Sequence, residues 1–252
     1  MIIVGLLGCG NIGHIIAQNQ IGFSISAVYD QIPEKAEELA AASGAQAFTD
    51  FTAFLSADFD IVVEAASIAA VQECGEAILC SGRDFVVMSV GALSNTIFCD
   101  RLTSIASETG KKIYVPSGAV MGLDNIKVGR ISRISTFLLR TTKNPASLQI
   151  HADEPTLIFS GKAHECIRDY PKNVNVSEAL TLAAGREVDV ELWVDPDTDR
   201  NTHEIFIEGD FGDAYIRVRN VPSPDNPATS YLAALSILSL LHNLNDPLVI
   251  GT

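Results

Sequence analysis

Short apolar runs rich in β-branched residues alternate with longer amphipathic segments through the first half of the chain. Runs of the first kind are typical of buried strands, and apolar residues spaced three to four apart are typical of helices. The pattern predicts six strands, at residues 2–7, 24–29, 46–48, 61–65, 84–88 and 112–115. It predicts intervening helices, each followed by glycine, at residues 33–43, 69–81 and 95–109. This alternation indicates an α/β domain with a doubly wound parallel sheet.

The pattern changes after Pro116, where strands joined by short polar turns predominate. Strands are predicted at residues 132–142, 148–151, 187–194, 204–208 and 214–221, with helical segments at residues 123–129 and 177–184. This mixture indicates a second, α+β domain with mainly antiparallel strands. The proline-rich residues 222–227 predict a stiff connector that ends the last strand. The helix predicted at residues 228–243 is apolar on most faces, so we expect it to be buried against the first domain.

The length of 252 residues allows two domains, which we expect to comprise residues 1–117 with 222–252, and residues 118–221. Seventeen basic residues against 31 acidic ones give a formal net charge of −14, which argues against nucleic-acid binding. No apolar run approaches the roughly 20 residues of a membrane helix. No cationic segment precedes Cys9, as an export signal would require. We therefore expect a cytoplasmic protein with reduced cysteines and no membrane partner.

A glycine-rich motif follows the first predicted strand and opens a helix. Its G-x-G-x-x-G spacing lets backbone N–H groups approach a pyrophosphate at a helix N-terminus. Asp30 ends the second predicted strand, where a carboxylate accepts hydrogen bonds from a ribose and repels a 2′-phosphate. The motif therefore predicts a Rossmann-type domain that prefers NAD to NADP. The predicted cofactor contacts in this domain are Gly8, Gly10, Asn11, Ile12, Gly13, Asp30, Ala65, Ala66, Ser89 and Val90.

Two further features could carry chemistry in the second domain. The motif DPDTDR at residues 195–200 resembles the start of a calcium loop, but the sixth position is Arg200 and the twelfth is Phe206, where Gly and Glu are needed. We therefore expect a solvated turn, and since no other metal-ligand spacing occurs we assign no metal. His203 lies at the head of a predicted strand, and its position alone leaves a structural and a functional role open.

Six segments of the chain together resemble the L-aspartate dehydrogenase family, in matching order along nearly the whole length. They are GCGNIG (residues 8–13), SVGAL (89–93), SGAVMGLD (117–124), YPKNVNV (170–176), NTHEI (201–205) and PSPDNP (222–227). The P-K-N-x-N and N-x-H-E-I elements are the most specific of these. The chain departs from the family at Tyr170, where Phe is more frequent, and at Ala228, where Lys is common.

The resemblance implies a homo-oligomeric enzyme, which we expect to be a homodimer, that oxidatively deaminates L-aspartate with NAD(P). The products are iminoaspartate or oxaloacetate and ammonia, and in some members the imine feeds pyridine nucleotide (NAD) biosynthesis. The resemblance also implies that Ala119 and Asn175 contact the nucleotide and that His203 is the catalytic acid/base. Because L-aspartate brings two carboxylates to an acidic protein, cations and hydrogen-bond donors must receive them. The candidates are Lys143, Thr141, Thr142, Lys172 and Asn173.

Other interpretations stay open from the sequence. One is another two-domain NAD(P) dehydrogenase, similar to dihydrodipicolinate reductase or homoserine dehydrogenase, although the His-His-rich segment expected of the former is missing. The other is a non-catalytic nucleotide-sensing protein that has kept the glycine motif and lost the chemistry. The His203→Ala variant separates these classes, because an enzyme would keep NAD binding and lose turnover by roughly 100-fold or more.

Overall fold

The structure is a computed structural model that describes residues 1–170, 174–223 and 226–251, apart from the side chains of residues 174 and 226–228. The chain divides into two compact units. Unit 1 comprises Met1–Pro116 and Ala234–Ile250, and unit 2 comprises Ser117–Ala233 with Gly251. Each unit has its own sheet and its own apolar core.

Unit 1 is built on a parallel sheet with helices between successive strands. Its strands are β1 (Ile2–Leu7), β2 (Phe23–Tyr29), β3 (Gln46–Phe48), β4 (Ile61–Glu64), β5 (Asp84–Val87) and β6 (Ile113–Tyr114). Its helices are α1 (Asn11–Gln18), α2 (Pro33–Ser43), α3 (Phe51–Leu55), α4 (Ile68–Cys80) and α5 (Thr96–Thr109). The strands pair in the order β3-β2-β1-β4-β5-β6, and every pairing is parallel. The predicted doubly wound fold is therefore confirmed.

Unit 2 contains a mixed sheet of five strands. They are β7 (Ile134–Lys143), β8 (Thr156–Lys162), β9 (Asp189–Val194), β10 (Thr202–Gly209) and β11 (Gly212–Arg219), in the order β11-β10-β7-β9-β8. The β7–β9 pair is parallel and the other pairs are antiparallel. One face packs against α6 (Leu123–Ile126), α7 (Ala163–Asp169) and α8 (Val174–Ala184). This arrangement confirms the predicted α+β character, since one sheet face is covered by helices.

The helix α9 (Tyr231–Asn243) returns to unit 1 near the end of the chain. Ile237 and Leu241 are fully buried and join a core cluster with Val4 and Leu6 of β1. The expected burial is thus confirmed, but the helix starts later than predicted because β13 (Asn226–Ser230) is held extended by pairing with β12 (Pro222–Ser223). Among the described residues, no helix is long and apolar enough to cross a membrane.

Three segments of unit 2 differ from the sequence prediction. The strand predicted at residues 148–151 is wrong, because a 3₁₀ helix occupies Pro145–Leu148 and Gln149 then adopts a left-handed backbone with φ of 58°. Neither β8 nor α7 was predicted. β8 is an edge strand whose residues are all exposed or half-buried, so it lacks the apolar alternation that marks strands with one buried face.

Candidate functional site

Three glycines shape the turn between β1 and α1. Gly8 has a left-handed backbone with φ of +104°, and a Cβ at this position would lie 2.7 Å from the Cβ of Ala66. A Cβ on Gly13 would lie 2.6 Å from the carbonyl oxygen of Gly8, whereas one on Gly10 would meet nothing within 4 Å. Packing therefore requires Gly8 and Gly13, and Gly10 leaves the N-terminus of α1 open to close approach by a ligand.

A cavity of about 330 Å³ lies at the carboxyl ends of β1, β2 and β4. In open α/β sheets, ligands bind at this edge where the strand order reverses, which here falls between β1 and β4. Five predicted cofactor contacts line the cavity, namely Gly8, Gly10, Asp30, Ala65 and Ala66. The other five predicted contacts of unit 1 lie in the first turn of α1 (Asn11, Ile12 and Gly13) and shortly after β5 (Ser89 and Val90).

Asp30 is held in a fixed orientation at this cavity. Its Oδ2 accepts a hydrogen bond from the backbone N–H of Cys9 at 2.9 Å, and its Oδ1 accepts one from the N–H of Ile32 at 2.9 Å. Each carboxylate oxygen has a second lone pair, which suits the two hydroxyls of a ribose. Lys35 of α2 also lines the cavity and brings a positive charge to it. The site therefore fits a dinucleotide, because it combines the glycine turn, the N-terminus of α1 and the Asp30 carboxylate.

Glu64, the last residue of β4, was not among the residues predicted from the sequence. Its side chain is fully buried, and its carboxylate accepts hydrogen bonds from the backbone N–H groups of Ala66, Met88 and Ser89 and from the Ser89 hydroxyl. Burial raises the pKa of this carboxyl, and these hydrogen bonds oppose the rise. The signal that could have identified it is an acidic residue that ends the otherwise apolar strand IVVE.

His203 is the second residue of β10 and is 7% exposed. Because β10 pairs with β7, the imidazole lies opposite Thr141, and its Nδ1 is 2.9 Å from the Thr141 Oγ1. Burial, together with the positive charge of Lys143, lowers the pKa of His203 from 6.5 to about 3. The imidazole is therefore neutral at neutral pH, and one ring nitrogen is available to accept a proton.

The alternation of side chains along β7 separates the predicted substrate contacts. Residues two apart on a strand share a face, so Thr141 and Lys143 lie on the face of His203, and Thr142 lies on the opposite face. Thr142 lines a separate cavity of about 270 Å³ with charged side chains of β10 and β11. The fold thus brings Thr141 and Lys143 toward His203 and places Thr142 elsewhere.

The other predicted contacts of unit 2 lie outside its large sheet. Ala119 precedes α6, and its carbonyl oxygen accepts a hydrogen bond from the Nδ2 of the buried Asn220 at 3.1 Å. Asn175 lies in the first turn of α8 and is exposed. Lys172 and Asn173 lie outside the described residues.

The calcium-like motif forms a turn in which Asp195 Oδ1 accepts a hydrogen bond from the N–H of Asp197 at 2.9 Å. Across the part of the chain that the structure describes, no group of at least three His, Cys, Asp or Glu side chains is placed to hold a metal ion.

The strand order, the glycine turn and the acid that follows β2 define a dinucleotide-binding protein of the dehydrogenase type. An L-aspartate dehydrogenase from Methanospirillum hungatei JF-1 is 60% identical over 252 residues, which cover 100% of both chains. This chain belongs to the L-aspartate dehydrogenase family.

Other comparisons agree with this assignment. The family models described as "Homoserine dehydrogenase, NAD binding domain" and "Aspartate dehydrogenase, C-terminal" match residues 4–116 and 124–244. An L-aspartate dehydrogenase from Methanothermobacter thermautotrophicus is 40% identical over 256 residues, covering 100% of this chain and 99% of its own. The crystal structure of aspartate dehydrogenase from Thermotoga maritima matches with a TM-score of 0.86 at 28% identity and covers 100% of both chains. The predicted family, enzyme class and NAD(P) cofactor are thereby confirmed.

Proposed function

We propose that this protein catalyses the reversible, NAD(P)-dependent oxidative deamination of L-aspartate. The products are iminoaspartate or, after hydrolysis of the imine, oxaloacetate and ammonia. The observation that carries the proposal is a buried, neutral His203 hydrogen-bonded to Thr141, in a chain 60% identical to a named L-aspartate dehydrogenase. NAD is the expected preferred cofactor, because the Asp30 carboxylate repels a 2′-phosphate.

His203 is proposed as the acid/base of this reaction. When bound, NAD(P) supplies the acceptor for the hydride that leaves the α-carbon of L-aspartate. His203 takes the proton from the amino group, or from the water that attacks the imine, because its imidazole is neutral before the substrate binds. The carboxylates of bound L-aspartate raise the pKa of a nearby imidazole, since negative charge favours its protonated form. Substrate binding therefore moves this base toward the working pH.

We further propose that unit 1 holds the dinucleotide and that unit 2 supplies the residues for the substrate. Lys143 is the leading candidate for a substrate carboxylate, because it shares a strand face with His203 and its charge already acts on the imidazole. Such a cation is needed in a chain with a net charge of −14. Thr142, on the opposite face, is the least favoured of the predicted contacts. The cofactor contacts named from the sequence, with Ala119 and Asn175, stay predictions.

A spectrophotometric assay tests the proposed activity. The purified protein is given NAD and, in separate reactions, L-aspartate, D-aspartate, L-glutamate, L-homoserine and L-malate, and absorbance is followed at 340 nm. Reduction specific to L-aspartate is expected. Reduction with L-homoserine and none with L-aspartate would favour a homoserine dehydrogenase-like activity. Bound NADH without turnover of any substrate would favour the nucleotide-sensing alternative.

The matched variants are His203→Ala and His151→Ala. We expect His203→Ala to bind NADH with the wild-type dissociation constant and to turn over L-aspartate roughly 100-fold more slowly, which is the usual loss for a general base. His151 is highly exposed, so its replacement is expected to change neither quantity. Equal turnover by the two variants would remove His203 from the proposed mechanism.

The proposed assembly is a homodimer formed through the face of the unit 2 sheet opposite α6, α7 and α8. Leu157 and Tyr215 on that face are 42% and 53% exposed, and they pair with the half-buried Trp193 and Phe206. The Arg140 guanidinium packs over both Trp193 and Phe206, so this face combines exposed apolar groups with charge, which suits an interaction surface. Light scattering is expected to give about twice the 26.9 kDa chain mass, and Tyr215→Glu to give a monomer. A monomeric wild-type protein would contradict the proposal.

We also propose that the enzyme works in the cytoplasm and that its imine product supplies pyridine nucleotide biosynthesis. Cys9, Cys74, Cys80 and Cys166 are free thiols, which suits a reducing compartment. Expression in a cell that lacks its own source of iminoaspartate tests the metabolic role. Growth without added pyridine precursors is expected for the wild-type protein and not for His203→Ala. Failure of an active wild-type enzyme to restore growth would contradict it.

A further inference from the structure

The carboxylate of Glu64 joins two loops at the carboxyl edge of the unit 1 sheet. Its Oε1 accepts hydrogen bonds from the N–H of Ala66 at 2.8 Å and from the hydroxyl of Ser89 at 2.7 Å. Its Oε2 accepts from the N–H groups of Met88 at 3.0 Å and Ser89 at 2.8 Å. One carboxylate thus fixes the chain after β4 and the chain after β5.

The first of these loops is part of the wall of the cofactor cavity. Ala65, Ala66 and Ser67 all line it. Ala66 also lies so close to the glycine turn that a Cβ on Gly8 would come within 2.7 Å of the Ala66 Cβ. The position of the Ala66 amide therefore determines how the cavity wall packs against the glycine turn.

The surroundings of Glu64 consist of hydrogen-bond donors. The side chain has no solvent exposure, and burying a carboxylate is costly unless donors compensate for the lost water. Three backbone N–H groups and one hydroxyl provide that compensation. An apolar side chain at this position would leave those buried backbone donors without the carboxylate. The hydrogen bonds of Glu64 therefore fix the two loops rather than the core of the sheet.

We propose that Glu64 is a positioning residue for the dinucleotide, which sets the cavity wall at Ala66 and the loop at Ser89 before the cofactor binds. When a binding site is formed in only a fraction of the molecules, the apparent dissociation constant is the intrinsic constant divided by that fraction. Holding both loops in the binding conformation keeps the fraction near one. The proposal rests on the cofactor site of unit 1 and does not depend on the oxidation of L-aspartate.

The isosteric Glu64→Gln substitution is expected to affect the two loops differently. An amide has one acceptor oxygen and one NH₂ donor. Its oxygen can satisfy the N–H groups of Met88 and Ser89, and its NH₂ can then donate to the Ser89 hydroxyl. The NH₂ group then faces the N–H of Ala66, donor against donor. The variant is therefore expected to keep the loop after β5 and to release Ala66.

The experiment measures the dissociation constant of NADH by fluorescence, without L-aspartate, for the wild-type protein and two variants. Glu64→Gln is expected to raise it about tenfold, which corresponds to the wall being formed in about a tenth of the molecules. The matched control is Asp84→Asn at the opposite end of β5, where Oδ1 accepts a hydrogen bond from the N–H of Lys112 at 2.9 Å. The amide oxygen of this control can still accept from Lys112, so the dissociation constant of NADH is expected to stay unchanged.

A Glu64→Gln variant that melts at a lower temperature but binds NADH as tightly as the wild-type protein would overturn the proposal, because Glu64 would then be structural only. Amide hydrogen exchange of the wild-type protein gives a second test that does not depend on folding of the variant. The Ala66 and Ser89 amides are expected to be protected before NADH is added. Rapid exchange at both amides in the cofactor-free protein would equally contradict a wall that is set in advance.

Discussion

The neutral state of His203 makes a quantitative prediction about stability in acid. Unfolding exposes the imidazole to water, so its pKa rises from about 3 in the folded protein to the ordinary 6.5. Between these values the unfolded chain binds a proton that the folded chain does not, so stability falls as the pH drops through this range. The free energy of unfolding at pH 5 is therefore about 2 kcal/mol lower than at pH 8. This pH stays above the sequence pI of about 4.6.

The perturbation that isolates this cost is His203→Gln, because glutamine does not titrate. We expect the free energy of unfolding, measured by urea titration at pH 8 and pH 5, to fall by about 2 kcal/mol more for the wild-type protein than for the variant. His151→Gln is the control, since that side chain is 90% exposed and its replacement leaves the buried imidazole of His203 in place. Parallel pH dependence of wild type and His203→Gln would refute burial as the cause of the neutral imidazole.

Three further predictions concern neighbouring features. Thr141→Val is expected to lower kcat/KM for L-aspartate about tenfold without changing NADH binding, and Thr141→Ser to restore it; a Val variant as active as the wild-type protein would exclude a positioning role. Lys35→Glu is expected to lower the NADP-to-NAD ratio of kcat/KM about tenfold, and an unchanged ratio would exclude Lys35 from the cofactor site. Burial and the nearby Glu187 raise the pKa of Glu178 to about 7. Between about pH 4.5 and 7 the folded protein keeps a proton that the unfolded chain releases, so the free energy of unfolding falls as the pH rises through this range. Glu178→Gln is therefore expected to stabilise the protein by about 3 kcal/mol at pH 8 and by less than about 1 kcal/mol at pH 5, and equal gains would contradict the raised pKa.

Unit 1 could be predicted from the sequence because its signals are local. The helix at Pro33–Ser43 begins with a proline and ends before Gly44 in the left-handed conformation, and its predicted bounds match the structure. The glycine turn could be predicted for the same reason, since its spacing determines the backbone approach by itself. The signals in unit 2 were weaker. Its edge strand β8 has no alternation of buried and exposed residues from which a strand could be predicted.

The contacts of the candidate site depended on pairings that are not local. Thr141 and His203 are 62 residues apart, and the β7–β10 register that joins them cannot be derived from either strand alone. Thr141 stays a predicted substrate contact, and the structure adds its hydrogen bond to the imidazole, which the sequence did not predict. The acid that ends the apolar strand IVVE marks Glu64 as unusual, but its role depends on two loops that converge on it from different parts of the chain.

The most direct test of the central claim uses L-aspartate deuterated at the α-carbon. The protein is mixed with NAD and this substrate, and the reduced cofactor is examined by mass spectrometry. The wild-type protein is expected to produce NADH carrying the deuterium, and His203→Ala to produce roughly a hundredth as much in the same time. Unlabelled NADH, or no NADH from a wild-type protein that binds NAD, would contradict oxidation of L-aspartate at its α-carbon.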